Sequence, residues 1–174
     1  MYQLITQGVG YLALICVIVS FQKDKRGTML YAMLAGVVLF AIHYTLLRAW
    51  TGLAMNLIEA GVVYVAYKQD TERWAKQPYW PYLFIVLFIV AGFATSKSLI
   101  AALPVVAQIL GTIAVWQKHP RAIRFIMLAP RPLWFVYNLA VGSQAGMVTE
   151  VVILLSVLVG ILRFDVIRWQ TKRN

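Results

Sequence analysis

The chain has 174 residues, 61% of them hydrophobic, with a formal net charge of +10 and a mean hydropathy of +0.75. An ordinary soluble domain is only about 45–50% apolar, so this composition excludes a water-soluble fold and predicts an integral membrane protein. The basic residues lie between apolar runs instead of on one folded patch, which excludes a nucleic-acid-binding domain. The single cysteine, Cys16, excludes an internal disulfide.

Apolar runs, taken in chain order, predict seven transmembrane helices and an all-α membrane fold. The first run follows Met1-Tyr2-Gln3 without a positive segment or a cleavage site, so we interpret it as a span and not as a signal peptide. A span needs about 20 residues, which leaves no room for a separate soluble domain. The predicted spans cover residues 4–20, 29–47, 52–67, 79–95, 98–116, 123–141 and 146–163.

The cations predict the orientation, because cytoplasmic loops carry an excess of Lys and Arg. Only Arg48 and Lys97 fall in the loops of one side. The other side carries thirteen cations, so we expect the N-terminus outside and the C-terminus in the cytoplasm. They are Lys23, Lys25, Arg26, Lys68, Arg73, Lys76, Lys118, Arg121, Arg124, Arg163, Arg168, Lys172 and Arg173.

The chain also contains an internal similarity. Phe21-Gln22-Lys23 matches Trp116-Gln117-Lys118 at a separation of 95 residues, and the same separation pairs His43 with Asn138. A one-residue adjustment in the following turn pairs Gly52 with Gly146 and Asn56 with Glu150. The match covers two three-helix units with the fourth span between them. Because one linker span separates the units, both enter the membrane in the same direction, which predicts parallel repeats in a 3+1+3 plan.

This plan divides one membrane domain, residues 1–174, into four parts. The first repeat covers residues 1–70, the linker helix 71–97, the second repeat 98–165 and a cytoplasmic tail 166–174. Chance similarity between apolar segments is the alternative explanation of the match.

Several short motifs, in this order and spacing, resemble the YgjV family of bacterial inner membrane proteins. They are Gln7-Gly8-Val9-Gly10, Phe21-Gln22-Lys23-Asp24-Lys25-Arg26, His43-Tyr44-Thr45-Leu46-Leu47, Leu103-Pro104-Val105, residues 146–150 and Leu162-Arg163-Phe164. The resemblance covers nearly the whole chain and implies a location in the bacterial inner membrane. That family in turn resembles the SWEET and PQ-loop transporters and the vitamin transporter PnuC, which implies a SWEET-like 3+1+3 bundle around a central path. This chain has no Pro-Gln dipeptide.

Polar residues within predicted spans are the candidate substrate-binding residues, since a charge in the hydrocarbon is costly and commonly marks a functional path. We expect a polar ring around one axis, with Trp134 as a wall against which a solute ring can stack. Pro130 and Pro132 flank Arg131 and should leave the carbonyls of Ile126 and Leu128 without their usual partners four residues on. The candidates are His43, Asn56, Glu59, Arg131, Trp134, Asn138 and Glu150.

No set of residues predicts an enzyme. The two histidines, His43 and His119, cannot make a zinc site alone, and no Gly-x-Ser-x-Gly or Cys–His pairing is present. We expect no cofactor and no metal. The sequence predicts a transporter or facilitator of a small polar or ring-bearing solute, working by alternating access in the lipid bilayer, with homo-oligomer formation left open. The alternative is a scaffolding membrane protein, in which Glu59 and Arg131 form a structural ion pair.

Overall fold

The computed structural model describes residues 1–21, 26–69, 71–95, 98–117 and 120–162. The described residues form an all-α bundle, in agreement with the predicted fold class. The helices are α1 (Tyr2–Phe21), α2 (Arg26–Leu46), α3 (Trp50–Lys68), α4 (Trp80–Thr95), α5 (Leu99–Val115), α6 (Pro120–Leu128), α7 (Pro130–Ala140) and α8 (Gln144–Gly160), with a 3₁₀ turn at Trp74–Lys76. The matched Gln-Lys loops and the predicted tail 166–174 lie partly or wholly outside the described residues.

The sixth apolar run, predicted as one helix over 123–141, is divided into α6 and α7. The division falls at Ala129, immediately before the Pro130-Arg131-Pro132 segment, because a proline has no N–H to donate into the preceding turn. The Ala129 N–H donates to the Ile126 carbonyl at 3.1 Å. The Ile126 carbonyl, which lacks its usual donor four residues on at Pro130, therefore takes a donor from a tighter turn.

Neighbouring helices pack in series from α1 to α2 to α3, and from α5 to α7 to α8. Helix α4 lies against both α3 and α5. The two series meet where α1 contacts α8 and where α3 contacts α5. These contacts place α3, α5, α7 and α8 around the interior in which the candidate charges lie.

One end of the bundle, which we call the N-terminal end, contains the start of α1, the α2–α3 turn, the α7–α8 turn and the end of α4. The Tyr2 hydroxyl donates to the Leu46 carbonyl, and Gln7 Nε2 donates to the Gly142 carbonyl at 2.9 Å. Thr51 Oγ1 donates to the Thr95 carbonyl at 3.3 Å. These bonds hold the two turns and the end of α4 at the same level as the start of α1.

Aromatic side chains pack against one another at the opposite end of the bundle. Trp80 Nε1 donates to the Trp74 carbonyl at 2.9 Å, and the Trp80 ring stacks on Phe84 with centroids 5.7 Å apart. Phe84 in turn lies 6.4 Å from the Trp116 ring at the end of α5. This contact links α4 to α5 at the end where α3 also finishes.

The α2–α3 and α7–α8 turns have the same backbone hydrogen bonds. The Ala49 N–H donates to the Tyr44 carbonyl at 2.9 Å, and the Ser143 N–H donates to the Asn138 carbonyl at the same distance. Each turn places one residue in the left-handed region, Arg48 at φ 55° and Gly142 at φ 71°. Corresponding positions lie 94 residues apart throughout both turns.

This spacing differs by one residue from the 95-residue separation used to align the predicted repeat. Asn138 corresponds to Tyr44, and His43 corresponds to Tyr137, so the pairing of His43 with Asn138 is wrong. The one-residue difference lies before the turn and not within it, because the turns themselves are equal in length. The predicted pairings of Gly52 with Gly146 and of Asn56 with Glu150 have the same 94-residue spacing as the two turns, and the repeat itself stays a prediction.

The outer surface of the bundle is strongly apolar, with exposed side chains such as Leu99 at 91% and Phe93 at 85%. One described helix, Tyr2–Ser20, is by itself long and apolar enough for a span, with 19 residues and a mean hydropathy of 1.7. Shorter apolar helices occur at Leu30–Leu46, Trp80–Thr95, Leu99–Ala114 and Gln144–Val159.

Candidate functional site

Arg131 and Glu150 form an ion pair between α7 and α8. Arg131 Nη1 lies 2.9 Å from Glu150 Oε2, and the side chains are only 13% and 10% exposed. The short α7–α8 turn makes the two helices antiparallel neighbours, which brings the first turn of α7 beside the middle of α8. The sequence left open whether Arg131 pairs with Glu59, and the structure gives Glu150 as the partner.

Glu59 is held by a different group. Gln108 Nε2, on α5, donates to Glu59 Oε2, on α3, at 2.7 Å. Gln108 is buried, and Glu59 is partly buried. The sequence interpretation did not single out Gln108, although an amide within the apolar run 98–116 was the signal that could have identified it.

Glu59, Arg131 and Glu150 are close enough to interact electrostatically. We call these three side chains together with Gln108 the charged cluster. It contains two carboxyl groups and one guanidinium from α3, α7 and α8, and one amide from α5. The α3–α5 contact crosses between the two helix series, whereas the Arg131–Glu150 pair lies within one of them.

His43 belongs to a separate polar layer nearer the N-terminal end. Its Nδ1 lies 2.8 Å from the Thr6 carbonyl, and its Nε2 lies 2.7 Å from Ser143 Oγ. A carbonyl only accepts, so Nδ1 donates, and the neutral ring then accepts from the Ser143 hydroxyl at Nε2. Ser143 Oγ also accepts the Gly146 N–H at 3.0 Å. Both ring nitrogens are therefore used to join α1, α2 and the α7–α8 turn.

Two tyrosines connect the helical hairpins in the same layer. The Tyr44 hydroxyl donates to Asn138 Oδ1 at 2.6 Å, and the Gly52 N–H donates to the Tyr137 hydroxyl oxygen at 2.8 Å. Asn56 Nδ2 donates to the Gly52 carbonyl of its own helix at 2.9 Å. The predicted ring of His43, Asn56, Asn138 and Glu150 thus separates into local bonds in this layer and a charged cluster deeper in the bundle.

Trp134 lies one turn from Arg131 on α7, between the two layers. Its ring stacks on Tyr44 at 5.9 Å with an interplanar angle of 27°. It meets Tyr137 edge-on at 5.7 Å and 81°. The buried indole is thus part of an aromatic wall, formed by these three rings, on the face of α7 that also carries Arg131 and Asn138.

Three buried polar atoms have incomplete hydrogen bonding. Arg131 Nε and Asn138 Nδ2 have no hydrogen-bond partner among the described residues, and Glu150 Oε2 has none beyond its ion pair with Arg131. Buried polar groups are usually satisfied, so each of these calls for water or a ligand. The two donors and one acceptor face the interior at the levels of the charged cluster and of the polar layer.

An open groove of about 980 Å³ lies at the N-terminal end. It is bounded by the first three turns of α1 and by the α2–α3 and α7–α8 turns. Its lining contains Tyr2, Gln7, Tyr11, Arg48 and Gln144 among others. The groove adjoins the polar layer through Gln7, whose Oε1 accepts the Ala145 N–H at 3.3 Å.

The described part of the chain brings no three or more His, Cys, Asp or Glu side chains together in a way that could hold a metal ion. Cys16, on α1, is a free thiol. The predicted absence of metal and cofactor stays a prediction.

Comparison with known families identifies the chain's similarity. A family model described as Imp-YgjV, bacterial inner membrane protein, matches residues 4–168. No curated protein and no solved structure matches the chain.

Proposed function

The chain belongs to the Imp-YgjV family of bacterial inner membrane proteins, and on this premise we propose that it is a multi-pass transporter or facilitator of a small solute. The proposed path runs between two three-helix units and passes the charged cluster. One unit rocks against the other to expose the cluster to each side in turn.

Two parallel units joined by a linker are the proposed architecture. Helices α1–α3 form the first unit, α4 is the linker, and α5–α8 form the second, with α6 and α7 acting as one broken helix. In this plan α1 corresponds to α5, and α3 corresponds to α8. Exchanging the two units therefore turns the α1–α8 contact into the α3–α5 contact, and both contacts are present. The equal turns at Arg48 and Gly142 support the same plan.

The observation that carries the proposal is the charged cluster itself. Ionisable groups in a membrane interior are expensive and characteristically line substrate or ion paths. Here Glu59 of the first unit meets Gln108 of the second at 2.7 Å, so the cluster lies at the boundary that would move. The incompletely bonded atoms of Arg131 and Asn138 supply donors for a solute.

A scaffolding protein is the second candidate, and the Arg131–Glu150 pair favours it. That pair lies within one unit and could serve only to fix α7 against α8. His43 also favours a structural role, because both of its ring nitrogens form hydrogen bonds that join helices. The two functions differ in whether water reaches the charged cluster.

Access of water can be measured with a cysteine at Gly111, in a Cys16→Ser background. A Cβ at Gly111 would meet Gln108 Oε1 at 3.7 Å, an ordinary contact, so Gly111→Cys should fold and place its thiol beside the cluster. A transporter predicts labelling by a charged, membrane-impermeant thiosulfonate. Mass spectrometry of the labelled protein measures the extent.

Two further cysteines calibrate this experiment. Gly8→Cys has nothing within 4 Å of its Cβ and faces the groove, so it should label fully. Val86→Cys lies on the outer face of α4, 55% exposed, and should remain unlabelled in lipid. If Gly111→Cys stays unlabelled like Val86→Cys in membranes that label Gly8→Cys, the cluster is dry and the scaffold is the better assignment.

The proposed orientation gives a separate prediction. With thirteen loop cations on one side and two on the other, the C-terminus should be cytoplasmic. A C-terminal green fluorescent protein should therefore fluoresce, and a C-terminal alkaline phosphatase should be inactive. Active phosphatase at this position would overturn the proposed orientation.

A further inference from the structure

We infer that the charged cluster selects solutes by charge and excludes anions, and that Glu59 sets this selection. The inference rests on the proposed transport function. It concerns the class of solute that the charged cluster accepts.

Arg131 is not an unoccupied receptor for an anion. Its Nη1 is 2.9 Å from Glu150 Oε2, so the guanidinium charge is already matched by a carboxylate. A solute carboxylate or phosphate at Arg131 would have to displace or approach Glu150, and like charges at close range repel strongly in a low-dielectric interior. The pairing with Glu150 therefore favours a solute that brings no negative charge to Arg131.

Glu59 adds a second carboxylate with no cation of its own. Its partner in the described part of the chain is the uncharged Gln108, at 2.7 Å, and the cation close to it, Arg131, is bound to Glu150. With both carboxyl groups ionised, the cluster has a formal charge of −1. A cationic solute lowers this excess charge, an uncharged one leaves it unchanged, and an anion increases it.

The hydrogen-bonding groups further restrict the class of solute that the cluster accepts. Arg131 Nε and Asn138 Nδ2 are buried donors, and Glu150 Oε2 is an acceptor. A hydroxyl group can both donate and accept, so it can bond to either kind of atom. Arg131 and Asn138 are seven residues apart on α7, about 10 Å along the axis, which is close to the length of an extended six-carbon polyol. The accepted class is therefore an uncharged or cationic polyhydroxylated solute.

Three probes that share one linear six-carbon skeleton test this class: sorbitol, gluconate and glucamine, which are neutral, anionic and cationic. Their fluxes are measured in proteoliposomes held at zero membrane potential, with protein-free liposomes as the baseline. For the native protein we expect sorbitol and glucamine to move at least about tenfold faster than gluconate. Glu59→Gln should reduce that ratio about tenfold. Glu72→Gln, which removes the same charge from the loop after α3, should leave the ratio unchanged.

Each other outcome overturns the inference. If gluconate moves fastest, the cluster recruits anions, and the transport proposal survives without this selection. If Glu59→Gln and Glu72→Gln keep the native ratio, Glu59 does not set the selection. If no probe exceeds the baseline, the accepted class is wrong, and labelling of Gly111→Cys then decides separately whether the proposed path exists.

Discussion

Replacing Arg131 with glutamine is expected to lower the free energy of unfolding by about 3–5 kcal/mol. The change leaves Glu150 buried beside α7 without the cation that now lies 2.9 Å away, and a stranded buried charge is strongly destabilising. Glutamine keeps much of the length of the side chain and can still donate hydrogen bonds, so the effect reports the lost charge more than lost volume. Denaturant-dependent unfolding in detergent micelles measures it.

The double variant Arg131→Gln with Glu150→Gln identifies the partner. It removes both members of the pair, so most of the lost stability should return. Arg131→Gln with Glu59→Gln is the matched control, because it removes the same total charge but leaves Glu150 stranded. Recovery in the Glu59 double variant and not in the Glu150 one would contradict the observed pairing.

The double variant Arg131→Gln with Glu150→Gln also separates transport from scaffolding. If Arg131 and Glu150 serve only to hold α7 against α8, the refolded double variant should behave as the native protein in every assay. If they line a path, it should be folded and inserted but should have lost solute flux. Measuring flux only in variants that have regained stability avoids confusing loss of function with loss of fold.

The helices could be predicted from the sequence because each apolar run is long and bounded by charged or turn residues. The run at 29–47, for example, corresponds to α2 at Arg26–Leu46, and the run at 52–67 to α3 at Trp50–Lys68. The division at Ala129 was signalled by Pro130 and Pro132. What the prolines did not indicate is that the Ile126 carbonyl would find a donor in the next turn.

The partners of the buried charges could not be predicted in the same way. A charge within an apolar run indicates burial, but its partner depends on how neighbouring helices are rotated. Arg131 lies beside Glu150 across the α7–α8 turn, which has one residue in the left-handed region, Gly142. A glycine in the sequence indicates that such a conformation can occur at its position. The equivalent position in the other turn is Arg48, which gives no such signal. The predicted alignment therefore placed His43 opposite Asn138, one residue away from the spacing that the two turns share.

Substituting alanine for Gly146 should lower the free energy of unfolding by about 2–3 kcal/mol, as overpacking in a tight interior commonly does. A Cβ there would lie 2.4 Å from Asn138 Oδ1 and 2.5 Å from Ser143 Oγ, far inside van der Waals contact. Neither oxygen can move cheaply, because Asn138 accepts from the Tyr44 hydroxyl and Ser143 bonds to His43. The clash would therefore disturb the polar layer on both sides of the α7–α8 turn.

Gly111→Ala is the matched control, since its nearest neighbour would be 3.7 Å away and alanine favours a helix by about 0.5–1 kcal/mol over glycine. It should leave stability unchanged or slightly raised, measured by the same unfolding experiment. Equal stability of Gly146→Ala and Gly111→Ala would mean that α7 and α8 are not packed as closely as the structure has them. The Arg131–Glu150 pair depends on that close packing, so the same result would also remove the geometric basis for placing the charged cluster at the centre of the path.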